Sequence, residues 1–162
     1  MIQRRQTLYM LLSAILGALL FFIPLMSFNA DGNNMSFTIF GIQNPIENIS
    51  LSSTYTWPLV VLTVLMTMVP LVTVFLYKKR ELQVRLCRIA MLLIVIFVGV
   101  VFLYYESDLQ QVIAAVEGDE YQLDVAYFIG MVFPLVSLLC QILAIRGIKK
   151  DIELLKSVDR LR

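Results

Sequence analysis

All thirteen Lys and Arg residues of this chain fall in three short stretches, and the segments between them run long and apolar without a single cation. The basic stretches are Arg4 and Arg5 near the amino end; Lys78, Lys79, Arg80, Arg85 and Arg88 in the middle; and Arg146, Lys149, Lys150, Lys156, Arg160 and Arg162 at the carboxyl end. A helix rises about 1.5 Å per residue and the hydrocarbon slab of a bilayer is about 30 Å thick, so a crossing takes about twenty apolar residues. Four segments meet that requirement: 7–28, 57–77, about 89–105 and about 125–145. The third is the shortest, but Leu86 and Cys87 extend it, and the stems of Arg85 and Arg88 can snorkel to the headgroups. If four segments cross in sequence, all three basic stretches share one side, and the retention of positive charge makes that side the cytoplasm.

Charge then divides sharply between the two faces. The outer connections, 29–56 and 106–124, hold Asp31, Glu47, Glu106, Asp108, Glu117, Asp119, Glu120 and Asp124 and no cation, a formal −8. On the inner side thirteen cations meet only Glu81, Asp151, Glu153 and Asp159, a formal +9. The small net charge of +1 conceals this polarity, while 59% hydrophobic residues and a mean hydropathy of +0.82 lie outside the soluble range. Orientation already accounts for the cations, so nucleic acid is not expected as a partner. Anionic lipid headgroups are.

Lipid offers no partner to backbone N–H and C=O groups, so helices are the form expected of these spans. The fold class is therefore an all-α membrane protein, a four-transmembrane-helix up-down bundle in a single four-span domain over 1–162. Tyr55, Trp57, Tyr104, Tyr105, Tyr127 and Phe128 are expected at the outer interface, and Tyr9 and Tyr77 at the inner one, as aromatic belts. The first apolar run is too long for a secretory signal, and Phe28, Asn29, Ala30 is a poor cleavage site, so this span is expected to remain as an anchor.

The first outer connection leans towards β structure. Asp31, Gly32, Asn33 and Asn34 favour a turn, 35–40 alternates in part, and a second β-leaning run, 49–55, follows Asn44 and Pro45. The two runs can pair as a small sheet over the helix ends, or the loop can stay irregular with Phe37, Ile39 and Phe40 dipped into the interface. In the second outer connection Leu109, Val112, Ile113 and Val116 keep helical spacing up to Gly118, which suits a short amphipathic helix. Its carboxylates lack the alternating ligand positions of a calcium loop and read as a solvated acidic face.

Inside the spans the polar residues are Ser13, Thr63, Thr67, Thr73, Ser137, Cys140 and Gln141, with no ionisable Asp, Glu, Lys, Arg or His among them. Proton-coupled carriers generally place such a group in the membrane, which makes a secondary transporter a poor fit. Gln141 reads as a hydrogen-bonding link to another helix. Pro24, Pro70 and Pro134 mark departures from straight helices, with kinks expected at Pro70 and Pro134. The small pairs Ser13 with Gly17, Ala14 with Ala18 and Ala126 with Gly130 would let helices approach closely.

Chemistry is sparse. Cys87 and Cys140 are the only cysteines, both in the inner half, and there is no His; neither the outer cysteine pairs of a quinone-linked disulfide-forming enzyme nor a zinc site can be built from them. No catalytic, cofactor-binding or metal-ligating residue is expected. Asn-x-Ser triplets at 34–36 and 48–50 would be glycosylation acceptors only in a eukaryotic secretory pathway. At the carboxyl end Ile148, Ile152, Leu155 and Val158 form the apolar stripe of a cytoplasmic amphipathic helix continuing the fourth span, able to lie on lipid, on the helix of the middle connection 78–88, or on a partner.

Both ends of the chain carry a resemblance. Met1, Ile2, Gln3, Arg4, Arg5, Gln6, Thr7, Leu8 and Tyr9, with Ser157, Val158, Asp159, Arg160, Leu161 and Arg162, resemble the termini of an uncharacterised bacterial membrane-protein family, domain of unknown function four-two-nine-three. The resemblance covers the whole chain and implies a four-helix, multi-pass protein of the bacterial inner membrane with both termini cytoplasmic. It implies no activity and no functional residue.

The expected role is that of a non-enzymatic scaffold or accessory subunit, with the lipid bilayer, other membrane proteins or a second copy of the chain as partners. The competing reading is a small channel or carrier for a neutral or lipid-like solute. Thr63, Thr67 and Thr73 discriminate between the two: on a wet cavity they favour transport, and bonded to backbone carbonyls in a packed bundle they favour the scaffold. A membrane-embedded enzyme would need convergent carboxylates at the outer mouth, such as Glu106 and Asp108.

Overall fold

The computed structural model describes residues 3–30, 33–43, 53–76, 79–105, 107, 124–127 and 129–160. These form helix α1 (Gln3–Leu19), strands β1 (Met26–Ala30), β2 (Asn33–Thr38) and β3 (Gly41–Gln43), helices α2 (Ser53–Phe75) and α3 (Arg80–Val100), strand β4 (Asp124–Tyr127) and helix α4 (Val132–Arg160). A π-helical turn, Val101–Tyr105, prolongs α3, and a 3-10 turn, Ile129–Met131, leads into α4.

The helices pack in chain order as a closed ring, α1 on α2, α2 on α3, α3 on α4, and α4 back on α1. Neighbours run antiparallel: Ser13 of α1 meets Ser137 and Gln141 of α4, whereas Gln6, seven positions earlier, lies at Gly147 of α4. Each helix buries one stripe at three- and four-residue spacing. On α1 it is Gln6, Met10, Ser13, Ala14 and Gly17; on α3 it is Gln83, Val84, Cys87, Ala90, Ile94 and Phe97. The opposite faces expose Leu8, Leu11, Leu12 and Ile15 on α1 and Ile89, Leu92, Val95 and Ile96 on α3. Apolar outside as well as inside is the dress of a helix surrounded by hydrocarbon.

Three helical segments are long and apolar enough to cross a membrane: Thr56–Phe75, Arg80–Tyr105 and Val132–Leu154. The apolar part of α1, Gln6–Leu19, falls short of that length. The expected first span, 7–28, is therefore corrected. Pro24 cannot donate to a helix and pushes its predecessor out of helical geometry. The chain leaves α1 at Leu19 through a turn in which Phe21 N–H donates to Ala18 O at 3.2 Å and Phe22 N–H to Leu19 O at 3.0 Å, and Met26 onward is strand.

The expected fourth span, 125–145, is corrected in the same way. Its first residues, 125–127, belong to β4, and the helix starts at Val132. Pro134 consequently sits in the first turn, where a missing N–H is one of the helix's orphans anyway, so no mid-span kink is called for there. Pro70 does lie inside α2, along with Pro58. The pair Ala126 and Gly130 is not a helical one: Ala126 is on β4 and Gly130 in the 3-10 turn.

One antiparallel sheet of order β3-β2-β1-β4 caps the bundle. Met26 pairs with Phe37 and with Tyr127, tying the segment that follows α1 to the one that precedes α4. The sheet expected between 35–40 and 49–55 takes different partners: β2 pairs with β1 and β3, and Ser53–Tyr55 opens α2. Thr38 and Gly41 form the last β2–β3 pair, with Gly41 at φ +135°, a conformation that favours glycine, and Thr38 Oγ1 donates to Gly41 O at 2.9 Å.

Two apolar clusters fill the interior. The outer one joins sheet to helices: Leu25, Met26, Phe37 and Ile39 pack with Leu59, Phe97, Val101 and Tyr105. Phe37 and Ile39 are fully buried, so the alternative of an irregular loop dipping them into the interface is also corrected; Phe40 alone stays exposed. Tyr105 departs from the expected outer belt, its ring lying 5.5 Å from that of Phe37. Trp57 and Tyr104 remain exposed. The inner cluster gathers Met10, Val84, Cys87, Ala144 and Ile148, with Tyr9, Val74 and Ile152 against it. The tail expected to continue the fourth span does so within α4, and its stripe begins by packing on α1 and α3. The acidic helix expected at 109–116 and the carboxylates Glu106 and Asp108 lie outside the described residues.

Candidate functional site

The described interior of the bundle collects its polar side chains on two main seams. The first joins α1 to α4. Ser13 Oγ and Ser137 Oγ lie 2.6 Å apart, Ser137 Oγ also approaches Ser13 O at 3.4 Å, and Gln141 Nε2 donates to Ser13 Oγ at 2.9 Å. All three residues are buried. Gln141 thus links two helices, as expected from its sequence. Towards the inner end of the same seam Gln6 is buried with its Cγ against Gly147, and a side chain at 147 would meet it at 2.8 Å. Among the described residues Gln6 Nε2 and Gln141 Oε1 find no hydrogen-bond partner, an uncommon state for buried polar atoms.

The second seam belongs to α2. Thr63 Oγ1 donates to Leu59 O at 2.8 Å, Thr67 Oγ1 to Thr63 O at 2.7 Å, and Thr73 Oγ1 to Val69 O at 2.6 Å. Each hydroxyl is thus spent one turn back on its own helix. Gly17 of α1 packs against Thr67; a Cβ there would come within 2.7 Å of Thr67 Oγ1. Gly130 is tighter still, since a Cβ would run into the carbonyl of Pro24. The small residues Gly17 and Gly130 therefore serve close approach, the first between helices and the second between a turn and the entry to β1.

At the inner corner Gln83 of α3 is buried and its Nε2 donates to Thr73 O of α2 at 3.1 Å. Just outside this clamp lies an open pocket of about 360 Å³ lined by Lys79, Arg80, Glu81, Leu82 and Arg85. At the opposite end a groove of about 430 Å³ is lined by Phe40, Thr56, Trp57 and Val60, and Thr56 Oγ1 donates to Phe40 O at 3.3 Å.

Sequence reasoning overlooked Gln6, Gln83 and Asp151, all buried. The signal was spacing: Gln6 precedes Met10 and Ser13, Gln83 precedes Cys87 and Ala90, and Asp151 follows Ala144 and Ile148, each in register with a buried stripe. Cys87 and Cys140 are free thiols, both buried. Among the described residues no three His, Cys, Asp or Glu side chains gather as a metal site would require.

A packed interior, long apolar helices and a covering sheet define a largely helical protein compatible with a membrane. The chain belongs to the family described as Domain of unknown function (DUF4293), whose model matches residues 2–161, as the resemblance of both termini implied. Neither a curated protein nor a solved structure matches it.

Proposed function

We propose that this chain is an integral membrane protein of four crossings, with its basic ends on the cytoplasmic side of a bacterial inner membrane, and that it serves as a non-enzymatic accessory or scaffold subunit for other membrane components. The observation that carries this reading is the fate of the α2 hydroxyls. A carrier would present Thr63, Thr67 and Thr73 to a wet cavity, yet each is bonded to its own helix inside a packed bundle. The exterior supports it too, because Phe22, Leu103 and Phe75 are 83%, 81% and 74% exposed and call for lipid or a protein neighbour. Gentle detergent extraction, followed by identification of the proteins that come with the chain, tests the role. A reproducible membrane-protein companion is the expected outcome; recovery as a pure, partner-free monomer would count against it.

A further inference from the structure

The inner corner between α2 and α3 concentrates positive charge in a concavity. Among the described residues that line it, the cations Lys79, Arg80 and Arg85 meet a single carboxylate, Glu81. The same residues begin α3, whose first intrahelical bond runs from Gln83 N–H to Lys79 O at 3.0 Å. The backbone N–H groups of Arg80, Glu81 and Leu82 precede that bond, and the Lys79 side chain does not cap them. Three cations and the first turn of a helix thus line one volume of about 360 Å³, within the range of small-ligand clefts. Guanidinium forks match paired phosphate oxygens.

Position decides which phosphate. The candidate span Arg80–Tyr105 starts inside the pocket, so the cations stand where an apolar slab gives way to headgroups. Leu82 is part of the lining and is exposed, offering an apolar neighbour to an acyl chain. The corner is also rigid, because Gln83 clamps Thr73 of α2 and the adjoining Val84 and Cys87 belong to the inner core. We propose that this pocket binds the phosphate of an anionic phospholipid headgroup. The proposal rests on the membrane reading above, but not on the accessory role.

The full chain in neutral detergent micelles can be titrated with short-chain phosphatidylglycerol, short-chain phosphatidylcholine and inorganic phosphate. Phosphatidylglycerol is expected to bind about tenfold or more tightly than either of the others, since only it joins net charge to an acyl-bearing headgroup. The double substitution R80Q/R85Q should weaken it about thirtyfold, at about one decade or less per cation. K149Q/K150Q, which removes the same charge from exposed cations of α4, should change it less than about twofold. Should the double variant lose its lipid-free melting transition, Arg85→Gln alone, at an exposed position, should still weaken binding about fivefold. Equal losses in both double variants, equal binding of the two lipids, or inorganic phosphate binding as tightly as phosphatidylglycerol would each overturn the proposal. Recovery of the chain in the aqueous fraction without detergent would instead defeat the membrane reading itself.

Discussion

Gln141 and Gln6 sit on one seam and, among the described residues, each leaves one buried polar atom unmet, but Gln141 also makes a bond across the seam. Gln141 Nε2 reaches Ser13, so Gln141→Met should cost about 1 kcal/mol, a usual magnitude for an interhelical bond in a membrane. Gln6 Nε2 is buried without an acceptor among the described residues, and an unmet donor costs about 1–3 kcal/mol. Gln6→Met, which keeps length and stem, should therefore be neutral or stabilising. Unfolding by a denaturing detergent, read by circular dichroism, checks both; a loss at Gln6 as large as that at Gln141 would sink the comparison. Gly130→Ala places a methyl against the Pro24 carbonyl, which is backbone and cannot swing aside, so a loss of about 1–3 kcal/mol is expected.

At the level of elements, the sheet is the feature most at odds with an all-α reading, and Phe37 is its anchor in the helical core. Phe37→Ala should lose about 3–5 kcal/mol by the same unfolding measurement, whereas a merely superficial loop would yield less than about 0.5 kcal/mol. The helices α2 and α3 were legible because a long, uninterrupted apolar run admits little else. The early end of α1 and the late start of α4 were not, because Phe21, Phe28 and Val125 are as apolar as any span residue and hydropathy does not distinguish a buried strand from a lipid-facing helix. Pro24 carried the clue, yet the pairing of β1 with β4 joins residues about a hundred positions apart, which no local pattern announces. The inward seam was half legible. Thr63, Thr67, Thr73, Ser137 and Gln141 betray themselves by polarity within apolar runs, but Gln6 and Gln83 lie beside cations and read as interface residues until the spacing of the stripe is followed to the helix end.

For the whole molecule, a closed antiparallel ring in chain order leaves the beginning of α1 and the far part of α4 at one end, with the basic corner of α3. Reporters fused ahead of Met1 and after Arg162 should accordingly light up in the same compartment, the cytoplasm; signals on opposite sides would refute an even number of crossings. The bundle is also uneven in height. The apolar stretch of α1, Gln6–Leu19, reaches about 21 Å, where the charge-free segment Thr56–Phe75 of α2 reaches about 30 Å. A bilayer wetting such a body cannot keep one thickness around its perimeter: it must pinch beside α1, at a fraction of a kcal/mol for each ångström of mismatch. In the bilayer proposed above, a neighbour with a similarly stunted flank would relieve that dimple by sharing it, so the short α1 would favour companions of matching height.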